Sequence, residues 1–377
     1  MASSWFQRPP PSDGRHYSDL RPQPDIEVQV ADRQPHQYYF NSSASPQATR
    51  TDYYHSEPHF QSASLFDVGI FRDTLAPSLA LHSSFALLAW AAGRHTNRVE
   101  AKDWLWPSAQ VANAWWSAVG RRLVEGMSLS QALGRLSWPE RLILTGVTAW
   151  GGRLFYRIAS RSIKRGADDA RYEESGIKKE DGFWNRALFT IFLPEAVFQS
   201  IISLPFTAPF RHEGAVLTGY HPYVQMLAVG LFSAGFALET LADYQLDIYQ
   251  RQNSSGLKRD GVWSIVRHPN YLGDALVHLS FPLLLFGSDM LAPIELLGPL
   301  ANYAFLRYFS GDRENETNRE ERYKRTDSQK EQELLRWRKE KNSFWPQMQE
   351  FGNKWTWVVI GCGALGVAIE EGLRTLH

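Results

Sequence analysis

The stretch Gly261-Val-Trp-Ser-Ile-Val-Arg-His-Pro-Asn-Tyr-Leu-Gly-Asp274 decides the fold, because it places polar side chains at the start of an apolar segment. Pro269 biases the residue before it away from helical geometry and is favoured in the first turn of a helix. The chain is therefore predicted to turn at Arg267-His268 and to enter a helix near Asn270. Backbone N–H groups at a helix start bind phosphate, and the guanidinium fork of Arg267 suits phosphate oxygens.

Apolar stretches of about the length that crosses a bilayer, roughly 17–25 residues, occur on both sides of this segment. They lie at about 74–93, 140–159, 185–208, 219–245, 271–290, 292–309 and 355–373. Arg153, Glu195, Glu239 and Asp243 interrupt them, as expected where helices line an internal polar cavity. The pattern predicts an all-α fold, a polytopic transmembrane helical bundle with about seven spans.

Basic residues are concentrated in three loops, 157–180, 251–268 and 311–341. Neighbouring loops are separated by two predicted spans, so all three are predicted to be cytosolic by the excess of positive charge on that side. The polar groups around residues 169 and 268 should therefore gather at the cytosolic side, where a soluble cofactor arrives.

Composition excludes several classes of site. Forty basic residues balance forty acidic ones, which gives no electrostatic reason to expect nucleic acid as a partner. The only cysteine is Cys362, which excludes an internal disulfide, and the eleven histidines form no metal-binding pair, so no metal is assigned. The run Gly361-Cys-Gly-Ala-Leu-Gly366 fits a dinucleotide motif but lies in an apolar span without a preceding strand, which favours helix packing.

The motif residues carry a resemblance to a known family. Gly-x-Trp-x3-Arg-His-Pro-Asn-Tyr-x-Gly-(Asp/Glu) is similar to the signature of the steroid 5-alpha-reductase-like membrane reductases, and Glu239-Thr-Leu-Ala-Asp-Tyr-Gln245 resembles their Glu-x3-Asp-x-Gln segment. Asp274 stands where that family usually has glutamate, and Trp337 stands roughly where it has tyrosine. Further similar pieces are Arg153-Leu154, Asp169-Ala-Arg-Tyr172, Gln199 with Pro205, and Ser310-Gly311.

The resemblance runs from about residue 142 to residue 346 and suggests four regions. Residues 1–63 are rich in polar residues and proline with few aliphatic side chains, so they are predicted to form a disordered tail. Residues 64–141 form a divergent membrane region, 142–346 the reductase-like membrane domain, and 347–377 a C-terminal membrane helix.

The resemblance implies an NADPH-dependent reductase of the endoplasmic reticulum that acts on a CH–CH double bond in a lipid or steroid-like substrate. It implies cofactor contacts by Arg267, His268, Asn270, Tyr271, Asp274, Glu239, Asp243, Gln245, Asp169 and Arg171. The candidate catalytic residues are Tyr271, Glu195 and Gln199.

Spacing supports part of this set without the resemblance. Glu239 and Asp243 are four residues apart and share a helix face, so nearby cations are expected to offset their repulsion. The candidates for those cations are Arg153, Arg157, Arg267 and His268. Glu195 and Gln199 also share a face, where they could hydrogen-bond a substrate oxygen or only a neighbouring helix.

Three questions stay open at the level of sequence. If the substrate is an enone, a hydrogen-bond donor must face its carbonyl oxygen, and Tyr156, Tyr223, Tyr271 and Glu195 are candidates. Membrane methyltransferases that resemble the isoprenylcysteine carboxyl methyltransferases also carry Arg-His-Pro-x-Tyr and bind S-adenosylmethionine. A non-catalytic membrane scaffold that retains the motif is the third alternative.

Overall fold

The computed structural model describes residues 68–169, 172, 178, 180–211, 221–252, 256–309 and 311–376. Within these ranges every regular element is helical, which confirms the predicted all-α class. The predicted tail at 1–63 and Arg171 lie outside the described residues.

Helices of eight or more α-helical residues form the framework of the described chain. In chain order they are α1 (Ala76–Thr96), α2 (Ala101–Trp115), α3 (Trp138–Arg165), α4 (Leu193–Ile202), α5 (Pro222–Arg251), α6 (Pro269–Gly287), α7 (Leu297–Ala304), α8 (Asp312–Thr326), α9 (Ser328–Glu340) and α10 (Lys354–Thr375).

Shorter helical segments continue or connect these helices. The α-helical ones are Val68–Ile70, Arg121–Val124, Leu129–Gly134, Phe183–Ala187 and Ala208–Arg211. The π-helical ones are Phe71–Leu75, Trp116–Gly120, Leu188–Phe192 and Phe305–Phe309. The 3₁₀ segments are Leu204–Phe206, Gly261–Ser264, Pro293–Leu296 and Met348–Gly352.

Three stretches of the described chain are long and apolar enough to cross a membrane: Phe71–Thr96, which contains α1, together with α5 and α10. The predicted spans at 140–159 and 271–290 form α3 and α6, whereas those at 185–208 and 292–309 are divided into short helical segments. The helices therefore support a membrane protein, and the predicted number of seven spans is not confirmed.

Helix α5 packs against both α6 and α10 through glycines. A Cβ atom added at Gly273 would meet the carbonyl oxygen of Gly235 at 2.6 Å and the backbone nitrogen of Glu239 at 2.7 Å. On the other face of α5, a Cβ at Gly363 would meet the carbonyl oxygen of Gly230 at 2.8 Å. Gly363 belongs to the run 361–366, which packs helix against helix as expected.

The motif turn has the predicted geometry. His268 precedes α6 with φ −129° and ψ 67°, outside the helical region, and the helix begins at Pro269. Gly261 has φ +71°, which glycine adopts without strain, and starts the 3₁₀ segment before the turn.

The charged region 312–341 forms two helices, α8 and α9, with one buried side. Leu334 and Trp337 of α9 are almost fully buried and belong to the same apolar cluster as Trp263 and Leu272. Helix α9 therefore contributes core residues beside the motif.

Candidate functional site

A cavity of about 920 Å³ opens among α2, α3, α5, α6, α8 and the π-helical segment Phe305–Phe309. Each of these elements contributes side chains to its wall, and α4 adds Glu195. The volume is in the upper part of the range of small-molecule and cofactor sites.

The cavity brings together most of the residues predicted from the sequence. Those that line it are Asp169, Glu195, Glu239, Asp243, His268, Asn270, Tyr271 and Asp274. Arg267, Gln245 and Gln199 are not among its lining residues. The packing of α5 on α6 brings the acidic residues Glu239 and Asp243 beside the motif residues, although they are far apart in the chain.

Two arginines of α3 hold the acidic face of α5. Arg153 forms ion pairs with Glu239 and, at 2.8 Å, with Asp243. Arg157 Nε lies 2.9 Å from Asp243. These two arginines supply the cations expected beside the acidic pair. The pairing fixes both carboxylates at the cavity wall.

Asp274 lies at the inner wall and is 4% exposed. Its carboxylate accepts hydrogen bonds from Trp150 Nε1 at 2.7 Å and from Asn302 Nδ2 at 3.0 Å. Since charged acceptors held by two donors keep one orientation, Asp274 is a fixed acidic group beside Glu239.

Two buried acceptor atoms at the cavity wall lack a hydrogen-bond partner within the described chain. They are Glu239 Oε2 and Asn270 Oδ1. A buried acceptor without a donor is costly, so such atoms indicate a missing water or ligand group. Both atoms would suit a ligand that presents hydroxyl or amide N–H donors.

His268 and Tyr271 form a stacked pair at the wall, with ring centroids 5.3 Å apart and planes inclined by 12°. His268 Nε2 lies 2.9 Å from Glu316 Oε1 of α8. Asn315 Nδ2, one residue earlier on α8, donates to the Tyr271 hydroxyl. Helix α8 therefore orients both rings of the motif.

Arg267 is not part of the cavity wall and instead contacts α8 and the end of α9. Its Nε and Nη2 atoms donate to the two oxygens of Glu316 at 2.8 and 2.9 Å, and Nη1 donates to the carbonyl oxygens of Arg338 and Lys341. Burial alone would raise the pKa of Glu316, but the hydrogen bonds and charges of His268 and Arg267 lower it to about 2. The guanidinium fork is engaged with a carboxylate in this structure.

Gln245 stabilises the turn before the motif. Its Oε1 accepts a hydrogen bond from the backbone nitrogen of Val262 at 2.9 Å. A Cβ at Gly261 would lie 2.0 Å from the same oxygen, so the glycine makes room for this contact. Gln245 therefore supports the site through the backbone.

Two arginines at the cavity wall form no hydrogen bond or ion pair with any residue that the structure describes. They are Arg161, in the last turns of α3, and Arg319 of α8. Arg322 and Arg325, also on α8, line the cavity as well. Unpaired guanidinium groups facing one space make it a favourable place for a phosphorylated ligand.

The cavity wall also carries the ion pair of Lys102 with Glu195, whose charged atoms are 2.8 Å apart. Gln199 Nε2 donates to the other oxygen of Glu195 at 3.4 Å. Trp106, one helical turn after Lys102, stacks on Phe305 with ring centroids 4.4 Å apart, so α2 gives the wall both a charged pair and aromatic surface.

The structure also reduces the number of candidate hydrogen-bond donors to a substrate carbonyl oxygen. Tyr156 and Tyr223 are 74% and 84% exposed and do not line the cavity, whereas Tyr271 and Glu195 do.

The sequence did not predict Lys102 and Arg161 as residues of the site. Lys102 lies before the region of resemblance, and Arg161 has the ordinary pattern of a basic residue at a membrane end.

Comparisons with known proteins identify the chain only at the level of a family. A family model described as "Protein of unknown function (DUF1295)" matches residues 89–333, which include the motif and most of the cavity wall. No curated protein and no solved structure matches the chain.

Proposed function

Since the chain belongs to the DUF1295 family, whose function is unknown, we propose from its own cavity that it is a membrane-embedded, NADPH-dependent reductase of a double bond in a lipid. The observation that carries the proposal is that the cavity wall holds two kinds of unpaired group, the guanidinium groups of Arg161 and Arg319 and the acceptor atoms Glu239 Oε2 and Asn270 Oδ1.

The residues of the wall fit the parts of the dinucleotide. Arg161 and Arg319 have no ion-pair partner in the described chain and would hold phosphate oxygens. Glu239 Oε2 and Asn270 Oδ1 are unpaired acceptors and would receive the hydroxyl groups of a ribose or the N–H groups of a carboxamide. An anionic, hydroxyl-rich ligand with an amide satisfies both sets, because each unpaired protein atom meets its complement.

The bound nicotinamide would supply a hydride, two electrons with one hydrogen, to one carbon of the double bond, while the other carbon takes a proton, leaving NADP⁺ and a saturated lipid. Tyr271 is the proposed proton donor. Its hydroxyl accepts from Asn315 and its ring is held against His268, so the phenol keeps one position at the wall. Acceptance of a hydrogen bond also makes a hydroxyl a better donor.

The apolar part of the cavity wall would receive the lipid. Leu154, Trp106, Phe305 and Leu306 provide apolar wall there, and Glu195 with Lys102 provides the polar group that orients a substrate. We infer the full topology to be about seven spans with the loops 157–180, 251–268 and 311–341 in the cytosol, in the endoplasmic reticulum membrane. In that topology Arg161 and Arg319 lie on the cytosolic side of the cavity.

The proposal is tested by thermal unfolding of the detergent-purified protein with NADPH, NADH or S-adenosylmethionine. A ligand that binds the folded state raises its melting temperature by mass action. We expect NADPH to stabilise the protein, and Arg161→Gln and Arg319→Gln each to weaken NADPH binding about tenfold, as for loss of one charge-assisted hydrogen bond. Arg336→Gln, an exposed arginine of α9 outside the cavity, is the matched control.

Two outcomes would overturn the proposal. Stabilisation by S-adenosylmethionine alone would assign the cavity to a methyltransferase. No stabilisation by any of the three ligands would support a non-catalytic scaffold.

A further inference from the structure

The connection between α9 and α10 exposes apolar side chains and buries a charged one. In the 3₁₀ segment Met348–Gly352, Met348 and Phe351 are 81% and 58% exposed, whereas Glu350 is 3% exposed. Residues three apart in a 3₁₀ helix lie on one face, so Met348 and Phe351 point to the same side. Glu350 is held inside by an ion pair with Lys341. A segment that faces water has the opposite arrangement.

Two exposed tryptophans flank this pair. Trp345 Nε1 donates to the Tyr303 hydroxyl at 3.2 Å. Trp357, in the first turn of α10, donates through Nε1 to the carbonyl oxygen of Phe351 at 2.8 Å. Both indole N–H groups are therefore satisfied by the protein while the rings stay exposed. The side chains of Trp345, Met348, Phe351 and Trp357 are called the 345–357 surface below.

The length of α10 sets the level of this surface in the membrane. Its 22 residues extend over about 33 Å, and the hydrocarbon core of a bilayer is about 30 Å thick. The helix is therefore only just long enough to cross, so Lys354 at its start must lie at one membrane surface. The 345–357 surface then lies at the level of the lipid headgroups, where tryptophan is favoured.

Backbone hydrogen bonds join the same connection to the motif turn. The backbone nitrogen of Arg267 donates to the carbonyl oxygen of Asn342 at 3.1 Å. The backbone nitrogen of His268 donates to the carbonyl oxygen of Ser343 at 2.9 Å. The position of the connection therefore fixes the position of the Arg-His-Pro turn.

We propose that the 345–357 surface is a membrane anchor, which binds the headgroup region of the leaflet in which α10 begins and holds the motif turn at that level. The partner is the lipid, because the charge is turned inward and the exposed rings continue into the exposed apolar residues of α10, such as Val358 and Ile360. The inference does not depend on the proposed reaction, since it concerns how the site is held in the membrane.

The test places a fluorescent probe on this surface in the full-length protein, reconstituted in phosphatidylcholine vesicles. Cys362→Ala removes the only cysteine, and Met348→Cys or Phe351→Cys in that background is labelled with a nitrobenzoxadiazole probe. Gln332→Cys, at an exposed polar position of α9, is the matched control. We expect the probes at 348 and 351 to emit at shorter wavelength than the control. Phosphatidylcholine with a nitroxide near its headgroup should quench them, and aqueous iodide should quench only the control.

A second measurement tests the connection to the motif. Met348→Glu combined with Phe351→Glu places two carboxylates where lipid is expected, which favours withdrawal of the segment into water. We expect the backbone amides of Arg267 and His268 to exchange with deuterium about tenfold faster in vesicles, because their acceptors lie in the same connection. Gln332→Glu should leave both rates unchanged.

Iodide quenching of the probes at 348 and 351 in vesicles would overturn the proposal, because the surface would then face water. Protection from both quenchers would also overturn it and would assign the surface to a second copy of the chain or to another protein. Unchanged amide exchange at Arg267 and His268 would contradict it as well, since the surface would then not hold the motif turn.

Discussion

In the Arg-His-Pro turn, Glu316 accepts hydrogen bonds from Arg267 and His268 together. The sequence predicts the turn and the start of α6 correctly, because proline geometry is local. It does not predict the partner of Arg267, which lies 49 residues later in a region of nearly balanced charge. The unpaired arginine Arg161 could not be distinguished from other basic residues at a membrane end for the same reason.

The substitution Arg267→Lys distinguishes a role of this arginine in stability from a role in cofactor binding. Lysine keeps the charge but cannot form the two-pronged contact with Glu316 and also reach two carbonyl oxygens, so we expect a melting temperature several degrees lower. The NADPH-induced shift should be retained, because the side chain does not line the cavity. An unchanged melting temperature with loss of the NADPH shift would instead place Arg267 at the cofactor phosphates.

Among the elements, the α5 and α6 pair positions the site. The glycine of the motif, Gly273, brings the backbone of α6 against Gly235 and Glu239, and thereby sets Asp274 beside the acidic face of α5. Apolar length predicts that these helices exist. It does not predict where helices are interrupted, and the π-helical segments Leu188–Phe192 and Phe305–Phe309 divide two stretches that read as continuous spans.

Gly273→Ala should destabilise the protein, because the new methyl group would lie 2.6–2.7 Å from backbone atoms that cannot move independently. A cost of about 1–3 kcal/mol is typical of such overpacking. Gly152→Ala on α3 is the matched control, since a Cβ there meets nothing within 4 Å. The melting temperatures of the two variants are compared by thermal unfolding. Equal melting temperatures would mean that α5 and α6 are not in contact at Gly273.

The whole molecule forms its cavity from six or more elements that are far apart in the chain. The sequence predicts the acidic and motif parts of this wall, from the spacing of Glu239 and Asp243 and from the Arg-His-Pro turn. The parts from α2, such as Lys102 and Trp106, depend on how the region before residue 142 folds back, and no pattern in that region predicts it. The basic residues of the loops 157–180 and 311–341 nevertheless predict that Arg161 and Arg319 lie on the cytosolic side of the membrane.

Topology is tested by glycosylation. Asn315-Glu-Thr is a formal acceptor sequence, yet we expect no glycan there because the loop 311–341 is predicted to be cytosolic. The Asn315 side chain also donates to the Tyr271 hydroxyl, which a glycan would prevent. Treatment of the protein from a eukaryotic membrane with a glycan-removing enzyme should leave the mass of the peptide containing Asn315 unchanged. A mass loss equal to a glycan would reverse the proposed orientation.

The central claim, that NADPH occupies the large cavity, is tested most directly by energy transfer from tryptophan to the reduced nicotinamide. Trp106 and Trp263 line the cavity, so bound NADPH should emit when tryptophan is excited. We predict a saturable signal for the natural sequence, a curve displaced to at least tenfold higher NADPH for Arg161→Gln with Arg319→Gln, and no displacement for Arg336→Gln. Absence of saturable transfer from the natural sequence, or equal curves for all three proteins, would contradict the account.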